Sequence, residues 1–284
     1  MKAPPFAYVR AQTLGEVFEL LETHGAGAKL LAGGQSLLAT LNLRLSAPEL
    51  LIDITRIPGL SGIKVADGKV SIGALTTHAE IEYSAEIAQC LPMLTLAAPH
   101  IAHVAIRNVG TFGGSIAMAD PAAEWPACCV ALGAEFVIAS KTGNRRVGAR
   151  GFFQGLYATD IKPTEVLTTI EIPIRERDYR STFLELTRRR GDYAIVGVAA
   201  MARNTGGTLS DVRLAYLGAG QIPLLAQTAM AALEGKRPSA AVIGIAAQAL
   251  AADLDPNGDT DSPPATKMHL ARVITARALA ALDA

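Results

Sequence analysis

The pattern of hydrophobic positions divides the chain into three stretches, each with its own mixture of helix and strand. In the first stretch, helical spacing of apolar residues begins after Thr13, which can cap the helix together with Glu16 three residues later. Short apolar runs at residues 28–32 and 50–54 predict two strands. We therefore expect a first unit of mixed structure over residues 1–57.

The second stretch, residues 58–176, combines strands with a helical region at residues 91–107 that Pro99 interrupts. Its strands are predicted at residues 70–74, 135–139 and 166–174. The third stretch, residues 177–284, places apolar strands before Ala-rich helices. Its strands are predicted at residues 195–202 and 212–217, and its helices at residues 228–233, 240–252 and 269–282. Strands followed by segregated helices favour an α+β fold over a regular βαβ alternation.

Composition and charge limit what the chain can bind. The chain has 284 residues with 26 Lys+Arg against 26 Asp+Glu, so nothing favours a nucleic-acid partner, whose phosphates need a basic face. The longest apolar run, residues 194–202, is far shorter than the ~20 residues that span a bilayer. Residues 1–13 lack the apolar core of a secretory signal, and the three cysteines then indicate reduced thiols. We expect a cytoplasmic protein.

Two glycine-rich segments carry the candidate chemistry. The first glycine segment is Ala32-Gly33-Gly34-Gln35-Ser36, and the second glycine segment is Thr111-Phe112-Gly113-Gly114-Ser115. Each combines Gly-Gly with hydroxyl residues, and neither contains a charge. Consecutive backbone N–H groups in such turns form concave anion sites. Taken alone, each segment is better explained as a tight turn, but a pair of them suits a ligand with two phosphates, such as a dinucleotide.

Other familiar signatures are absent or incomplete. Gly235-Lys236-Arg237 does not complete a P-loop, and Gly218-Ala219-Gly220 meets Pro223 where a dinucleotide fingerprint needs its third glycine. No Cys-x-x-Cys occurs, so we expect neither zinc nor an iron–sulfur cluster on this chain. The basic run at residues 188–190 leaves two interpretations open: an exposed strand end, or a positive surface that faces an anionic cofactor with Tyr193 as its lid.

The second glycine segment lies in a longer stretch with a family resemblance. The stretch reads Ile106-Arg107-Asn108-Val109-Gly110-Thr111-Phe112-Gly113-Gly114-Ser115-Ile116-Ala117 and continues as Ala119-Asp120-Pro121-Ala122-Ala123-Glu124-Trp125-Pro126-Ala127. It resembles the FAD-binding medium subunit of the molybdenum hydroxylases, which include xanthine dehydrogenase and aerobic carbon monoxide dehydrogenase. Pro5-Phe6-Ala7-Tyr8, the first glycine segment and residues 188–196 match the same pattern, so the resemblance covers essentially the whole chain.

The resemblance implies an α+β protein with a two-lobed FAD-binding domain of the PCMH/VAO type, its lobes at residues 1–57 and 58–176. A C-terminal α+β domain of antiparallel sheet and helices would follow at residues 177–284. Glu124 would bond the sugar-like portion of the flavin, and Tyr193 would stack on the isoalloxazine or gate it. The residues implied to bind FAD are Ala32, Gly33, Gly34, Gln35, Ser36, Ile101, Gly110, Thr111, Phe112, Gly113, Gly114, Ser115, Glu124, Leu167, Asp192 and Tyr193.

Three positions depart from the family pattern. Ser115 replaces the Asn that commonly follows Gly-Gly, at a cost of about 1 kcal/mol if one hydrogen bond is lost. Glu124 replaces an Asp and reaches one methylene further. Thr187 stands where some relatives have Lys, which leaves the neighbouring arginines to supply positive charge. None of these changes indicates that flavin binding is lost.

The resemblance also implies a function and partners. FAD on this chain would receive electrons from two [2Fe-2S] clusters on a small subunit, while a large subunit with the molybdopterin cofactor oxidises the substrate. The expected assembly is a dimer of heterotrimers, in which the protein binds and tunes the flavin and supplies no catalytic acid, base or nucleophile. Substrate and electron acceptor stay open. Two alternatives are a self-sufficient flavin reductase and a non-catalytic scaffold that has lost FAD.

Overall fold

The computed structural model describes residues 2–259 and 262–283, so the outermost residues of the first and third predicted units lie outside the described part. The N-terminal lobe is built on a three-stranded parallel sheet with the order β1-β3-β2. Its strands are β1 (Ala7–Arg10), β2 (Ala28–Leu31) and β3 (Leu50–Asp53), and its helices are α1 (Leu14–His24) and α2 (Leu37–Asn42). Thr13 caps α1 as predicted, accepting from Glu16 N at 3.2 Å, but the Glu16 carboxylate accepts from Gln12 N instead of completing the box on Thr13.

The second lobe is a five-stranded antiparallel sheet, order β4-β5-β10-β6-β7, covered by short helices. Its strands are β4 (Ile63–Ala66), β5 (Lys69–Gly73), β6 (Glu135–Ser140), β7 (Gly143–Gly148) and β10 (Val166–Pro173), with a small hairpin of β8 (Phe153–Gly155) and β9 (Ala158–Thr159). Its helices are α3 (His78–Tyr83), α4 (Ala85–Cys90), α5 (Pro92–Ala97), α6 (Val104–Arg107), α7 (Phe112–Met118), α8 (Glu124–Leu132) and α9 (Ala149–Phe152). A 3-10 turn at Ala98–His100 divides the predicted helical region at Pro99, because proline cannot donate to a continuing helix.

The C-terminal part is a four-stranded antiparallel sheet with three helices, as the α+β prediction requires. Its strands are β11 (Tyr179–Leu186), β12 (Val196–Thr205), β13 (Thr208–Leu217) and β14 (Leu224–Leu225), and its helices are α10 (Gln227–Leu233), α11 (Ala240–Asp253) and α12 (Pro264–Asp283). None of the helices in the described residues is both long enough and apolar enough to span a bilayer.

The central strand β12 explains how this sheet is joined to the second lobe. Val198 and Ala200 lie in the apolar cluster of the C-terminal helices, whereas Ala199 and Met201 lie in the cluster of the second lobe. Successive side chains of a strand point to opposite faces, so both faces of this sheet are buried. The continuous apolar run in the sequence is the consequence of that double burial.

Candidate functional site

The first glycine segment turns the chain from β2 into α2 under tight steric limits. Gly34 has φ +69°, a left-handed conformation that glycine adopts without strain. A Cβ on Gly33 would lie 2.2 Å from the carbonyl oxygen of Val109, so only glycine allows this contact. The side chain of Gln35 donates from Nε2 to the Gly33 carbonyl at 3.0 Å and braces the turn.

The backbone donors of this turn are free to bind a ligand. Within residues 2–259 and 262–283, the N–H groups of Gly33, Gly34, Gln35 and Ser36 have no hydrogen-bond partner. The Ser36 hydroxyl makes no capping bond to α2. Four consecutive free N–H groups beside a free hydroxyl form the kind of concave donor surface that binds phosphate oxygens.

The second glycine segment is not the turn with free backbone donors that the sequence predicts. Its glycines lie in the first turns of α7, with the Thr111 hydroxyl as N-cap to Gly114 N at 3.1 Å. The N–H groups of Phe112 and Gly113 donate to the carbonyls of Thr76 and Ala74, both at 2.8 Å, and Ser115 N donates to Thr111 O. The expectation of consecutive free N–H groups is therefore wrong here, because strand β5's continuation and the helix itself accept these hydrogen bonds.

The structure nevertheless brings the two glycine segments together. Gly33 packs on the backbone of Val109 and Gly110, the residues that lead into the second segment. A Cβ on Gly114 would lie 3.9 Å from the Cβ of Ala32. The predicted pairing of the segments is therefore present, although their backbone groups differ in availability.

A buried histidine, His78, packs against Gly110, the residue before the second glycine segment. His78 N donates to the Gly110 carbonyl at 3.0 Å, and a Cβ on Gly110 would lie 2.7 Å from His78 Nε2. His78 Nδ1 accepts from Trp125 Nε1 at 2.9 Å. Burial, aided by the charge of Arg107, lowers the pKa of His78 to about 4, so the ring is neutral at physiological pH. Sequence reasoning missed this residue, whose only local sign is its place after the capping Thr77.

A buried arginine fixes Ile101, another of the predicted site residues. Arg107 Nη1 donates to the carbonyl oxygens of Ile101 at 3.1 Å and Ala102 at 3.2 Å. Its Nε pairs with Glu82 at 2.7 Å. These contacts tie the strained turn at Ala102, with φ +43°, to α6 and α3. Arg107 is a second supporting residue that the sequence did not reveal.

The predicted residues Asp192 and Tyr193 follow a glycine that touches the same turn. A Cβ on Gly191, with φ +81°, would lie 2.6 Å from the Ala102 carbonyl oxygen. Tyr193 is 69% exposed, so its ring is available to a ligand or a partner. The backbone contact places these residues beside Ile101, which the prediction assigned to the same site.

Glu124 begins α8 and is buried. Burial, with the charge of Glu185 next in importance, raises the pKa of Glu124 to about 8. The carboxyl therefore carries a proton at neutral pH and can donate a hydrogen bond as well as accept one. A protonated carboxyl can bond a sugar-like hydroxyl as donor or acceptor, and the extra methylene of Glu does not change that chemistry.

The side chains of three predicted residues, Ile101, Phe112 and Leu167, lie in the buried apolar core. The Phe112 ring is fully buried and packs edge-on against Trp125 with ring centroids 5.1 Å apart. Leu167 is buried in β10 within the same apolar cluster. Because these side chains pack in the core beneath the glycine segments, any contact that Phe112 or Leu167 makes with a ligand comes from the backbone.

Two family models match nearly the whole chain. Residues 4–175 match the model of the FAD binding domain in molybdopterin dehydrogenase, and residues 181–282 match the CO dehydrogenase flavoprotein C-terminal domain. The chain belongs to the family of FAD-binding medium subunits of molybdenum hydroxylases. The resemblance and the α+β fold predicted from the sequence are confirmed for this family member.

Relatives and solved structures of the family cover nearly the whole chain. The 6-hydroxypseudooxynicotine dehydrogenase complex subunit alpha of Paenarthrobacter nicotinovorans is 38% identical over 281 residues, which are 99% of this chain and 95% of that protein. The carbon monoxide dehydrogenase medium chain of Hydrogenophaga pseudoflava is 37% identical over 279 residues, 98% of this chain and 97% of that one. A structure of carbon monoxide dehydrogenase from the same organism has a TM-score of 0.97 at 39% identity, covering 99% of this chain and 98% of that chain.

These relatives are components of oxidoreductases. A structure of quinoline 2-oxidoreductase from Pseudomonas putida 86 also matches, with a TM-score of 0.94 at 37% identity over the full length of this chain and 98% of that one. This family member is thus the FAD-carrying component of an oxidoreductase. The comparisons give no support to a self-sufficient flavin reductase or to a scaffold that has lost FAD.

Proposed function

We propose that the first glycine segment holds the FAD diphosphate and that the second glycine segment shapes the space beside it. The observation that carries this assignment is the run of four unpartnered N–H groups from Gly33 to Ser36. An anion of two phosphates satisfies such donors without any lysine or arginine, and the segment contains none. Gly114 supports the assignment because its missing side chain leaves open the space next to Ala32.

The remaining predicted contacts complete the proposal. Glu124 bonds the sugar-like portion of FAD, and Asp192 and Tyr193 lie at the isoalloxazine, with the exposed Tyr193 ring controlling access. The backbone of Ile101, held by Arg107, lines the same pocket. When bound, FAD supplies the redox chemistry, and this chain's residues bind it, orient it and exclude water from it.

The chain works as one subunit of a larger cytoplasmic enzyme in this proposal. Electrons arrive from two [2Fe-2S] clusters on a small subunit, after a large molybdenum subunit has oxidised the substrate, and they leave to an external acceptor. The assembly is a dimer of heterotrimers. Its support is the match to relatives named as the medium chain of a dehydrogenase, over 98% of this chain, and as the medium subunit of a hydroxylase, over 77% of it.

The Gly33→Ala variant tests the proposal. Its Cβ would collide with the Val109 carbonyl oxygen and displace the free N–H groups, so that they could no longer bind the diphosphate together. We therefore expect FAD affinity to fall at least about tenfold. Flavin content is read from the visible absorption of the purified protein after reconstitution with FAD. The matched control is Gly148→Ala, whose Cβ would meet nothing within 4 Å, and its flavin content should equal that of the wild type.

Two results would contradict the proposal. Wild-type protein that stays colourless with added FAD would exclude the flavin role. Normal flavin content in folded Gly33→Ala would remove the diphosphate assignment from the first glycine segment, even if the chain still bound FAD elsewhere.

A further inference from the structure

The loop of residues 187–195, which joins β11 to β12, carries two of the predicted site residues, and we call it the Gly191 loop. Asp192 N donates to Arg189 O at 3.0 Å, across a turn in which Gly191 has a φ of +81°. A turn with this backbone conformation favours glycine. The Arg188 guanidinium pairs with the Asp192 carboxylate at 3.4 Å. The loop therefore has a defined conformation just before Tyr193.

The Gly191 loop lies against a turn of the second lobe, residues 101–103, which we call the Ala102 turn. A Cβ on Gly191 would lie 2.6 Å from the Ala102 carbonyl oxygen and 2.9 Å from His103 Nδ1. Real Cβ atoms essentially never come so close to backbone. The two turns touch because Gly191 has no side chain.

A buried arginine holds the same carbonyl oxygen. Arg107 Nη1 donates to Ala102 O at 3.2 Å and to Ile101 O at 3.1 Å. The Arg107 side chain is 7% exposed, and its Nε pairs with Glu82 at 2.7 Å. A guanidinium can make these bonds together because its donors form a rigid planar fork. Ala102 needs this support, since its φ of +43° is one that residues with a side chain rarely adopt.

The position of the Tyr193 ring depends on the backbone that carries it. The ring belongs to a residue that is 69% exposed. Tyr193 makes a hydrogen bond through its backbone N–H, which donates to Asp192 Oδ1 at 3.1 Å. Asp192 lies between Tyr193 and Gly191, so a shift of the Gly191 contact would move the ring.

We propose that Arg107 and Gly191 are positioning residues for Tyr193, and that both act through the Ala102 carbonyl oxygen. The proposal rests on the proposed place of Tyr193 at the isoalloxazine. The contact joins the two parts of the chain that match separate family models, residues 4–175 and 181–282. A loop that is held before FAD binds presents the ring without the entropy cost of ordering it during binding.

Hydrogen exchange of the full chain, with and without FAD, tests whether the two turns are coupled. Arg107→Lys keeps a positive charge beside Glu82 but lacks the planar fork, so the Ala102 turn should loosen. We expect the N–H of Asp192, on the other side of the contact, to exchange at least about threefold faster. Gly191→Ala should in return speed exchange of the Ile101 N–H, which donates to Ala98 O at 3.1 Å.

Two matched controls separate the contact from the substitutions themselves. Gly68→Ala places a Cβ at a similar φ, +72°, in the turn between β4 and β5, where it would meet nothing within 4 Å. Arg145→Lys removes another forked arginine, which bonds two carboxylates from β7. Neither control should change exchange of the Asp192 or Ile101 N–H. An equal change in a control would show general loosening and would overturn the proposal.

Flavin fluorescence tests what the coupling does at the site. A tyrosine ring in contact with an isoalloxazine quenches its emission by electron transfer. Tyr193→Leu should therefore raise the emission per bound flavin, with the bound flavin measured by visible absorption. Gly191→Ala and Arg107→Lys should show a partial loss of the same quenching, whereas Gly68→Ala and Arg145→Lys should match the wild type.

The outcomes separate this proposal from the flavin assignment. If emission rises in Tyr193→Leu but exchange and emission stay unchanged in both Gly191→Ala and Arg107→Lys, the positioning role alone is wrong. If emission does not change in Tyr193→Leu, the place of Tyr193 at the flavin is wrong, and the positioning role is wrong with it. If Arg107→Lys fails to fold, Gly191→Ala still decides, because Gly191 lies in a partly exposed loop.

Discussion

The two glycine segments share a Gly-Gly pair beside hydroxyl residues, but the structure uses their backbones in different ways. In the first, four consecutive N–H groups have no partner within the described residues. In the second, every N–H group from Phe112 to Ser115 donates to a protein oxygen. Among the described residues, the same short motif thus has unpaired backbone donors in one place and forms a close-packed helix start in the other.

Gly34 and Gly113 are needed for different reasons, although Gly33, like Gly113, needs its small volume. Gly34 needs its backbone freedom, because its φ is +69°. Gly113 needs its small volume, because a Cβ would lie 2.4 Å from the Cβ of Ala74. Removal of the Ser36 hydroxyl in the first segment should therefore act mainly on ligand binding, whereas a side chain added at Gly33 or Gly113 should also disturb close packing.

The largest expected effect is that of Gly113→Ala. The added methyl group would overlap Ala74 in a buried contact between α7 and the end of β5, and neither backbone can move freely. We expect the free energy of unfolding, from urea denaturation, to fall by about 3 kcal/mol or more. Gly151→Ala in α9, whose Cβ would meet nothing within 4 Å, should change it by less than about 1 kcal/mol. Equal stability of the two variants would show that the second segment is not close-packed.

Acid should loosen the second glycine segment selectively. Burial lowers the pKa of His78 from 6.5 to about 4. Between these two pH values, His78 is protonated in the unfolded chain and neutral in the folded chain. The contribution of His78 to the free energy of unfolding is fully present above about pH 6.5. It is lost as the pH falls toward 4, and the total loss is on the order of 3 kcal/mol.

Hydrogen exchange measured along the chain as the pH falls checks this effect. The N–H groups of Phe112 and Gly113 should lose protection, whereas those of the first segment have no internal hydrogen bonds to lose. In His78→Gln the pH dependence should flatten, while the exposed control His24→Gln should behave as the wild type. A wild-type stability that does not fall in acid would contradict the buried neutral state of His78.

Much of the fold could be predicted because burial leaves a clear pattern in the sequence. The strand at residues 196–202 is a continuous apolar run since both of its faces are covered, and α1 was located by its capping Thr13. Strand β7 was missed because it lies at a sheet edge, where exposed polar side chains hide the alternation, and strand β1 was missed because its four residues are too few to show one.

The site was only partly predictable, for a related reason. Gly-Gly has poor helix propensity, so the second segment was interpreted as a loop, whereas the Thr111 cap and the burial of Phe112 and Ile116 impose a helix. His78 and Arg107 act through contacts with residues distant in the chain, and a single sequence does not display such contacts. Local motifs therefore predict a candidate site, whereas the contacts that support its glycine segments are visible only in three dimensions.

The smallest effect distinguishes the two hydroxyl groups that flank the glycines. The Thr111 hydroxyl caps α7, whereas the Ser36 hydroxyl makes no capping bond to α2. Thr111→Ala should therefore lower the free energy of unfolding by about 1 kcal/mol. Ser36→Ala should change it by less than about 0.5 kcal/mol and instead weaken FAD binding, because the proposed diphosphate site includes this hydroxyl. Parallel urea denaturation and FAD titration of both variants measure this difference. If Ser36→Ala destabilised the protein as much as Thr111→Ala and bound FAD normally, the assignment of Ser36 to ligand binding and of Thr111 to helix capping would be wrong.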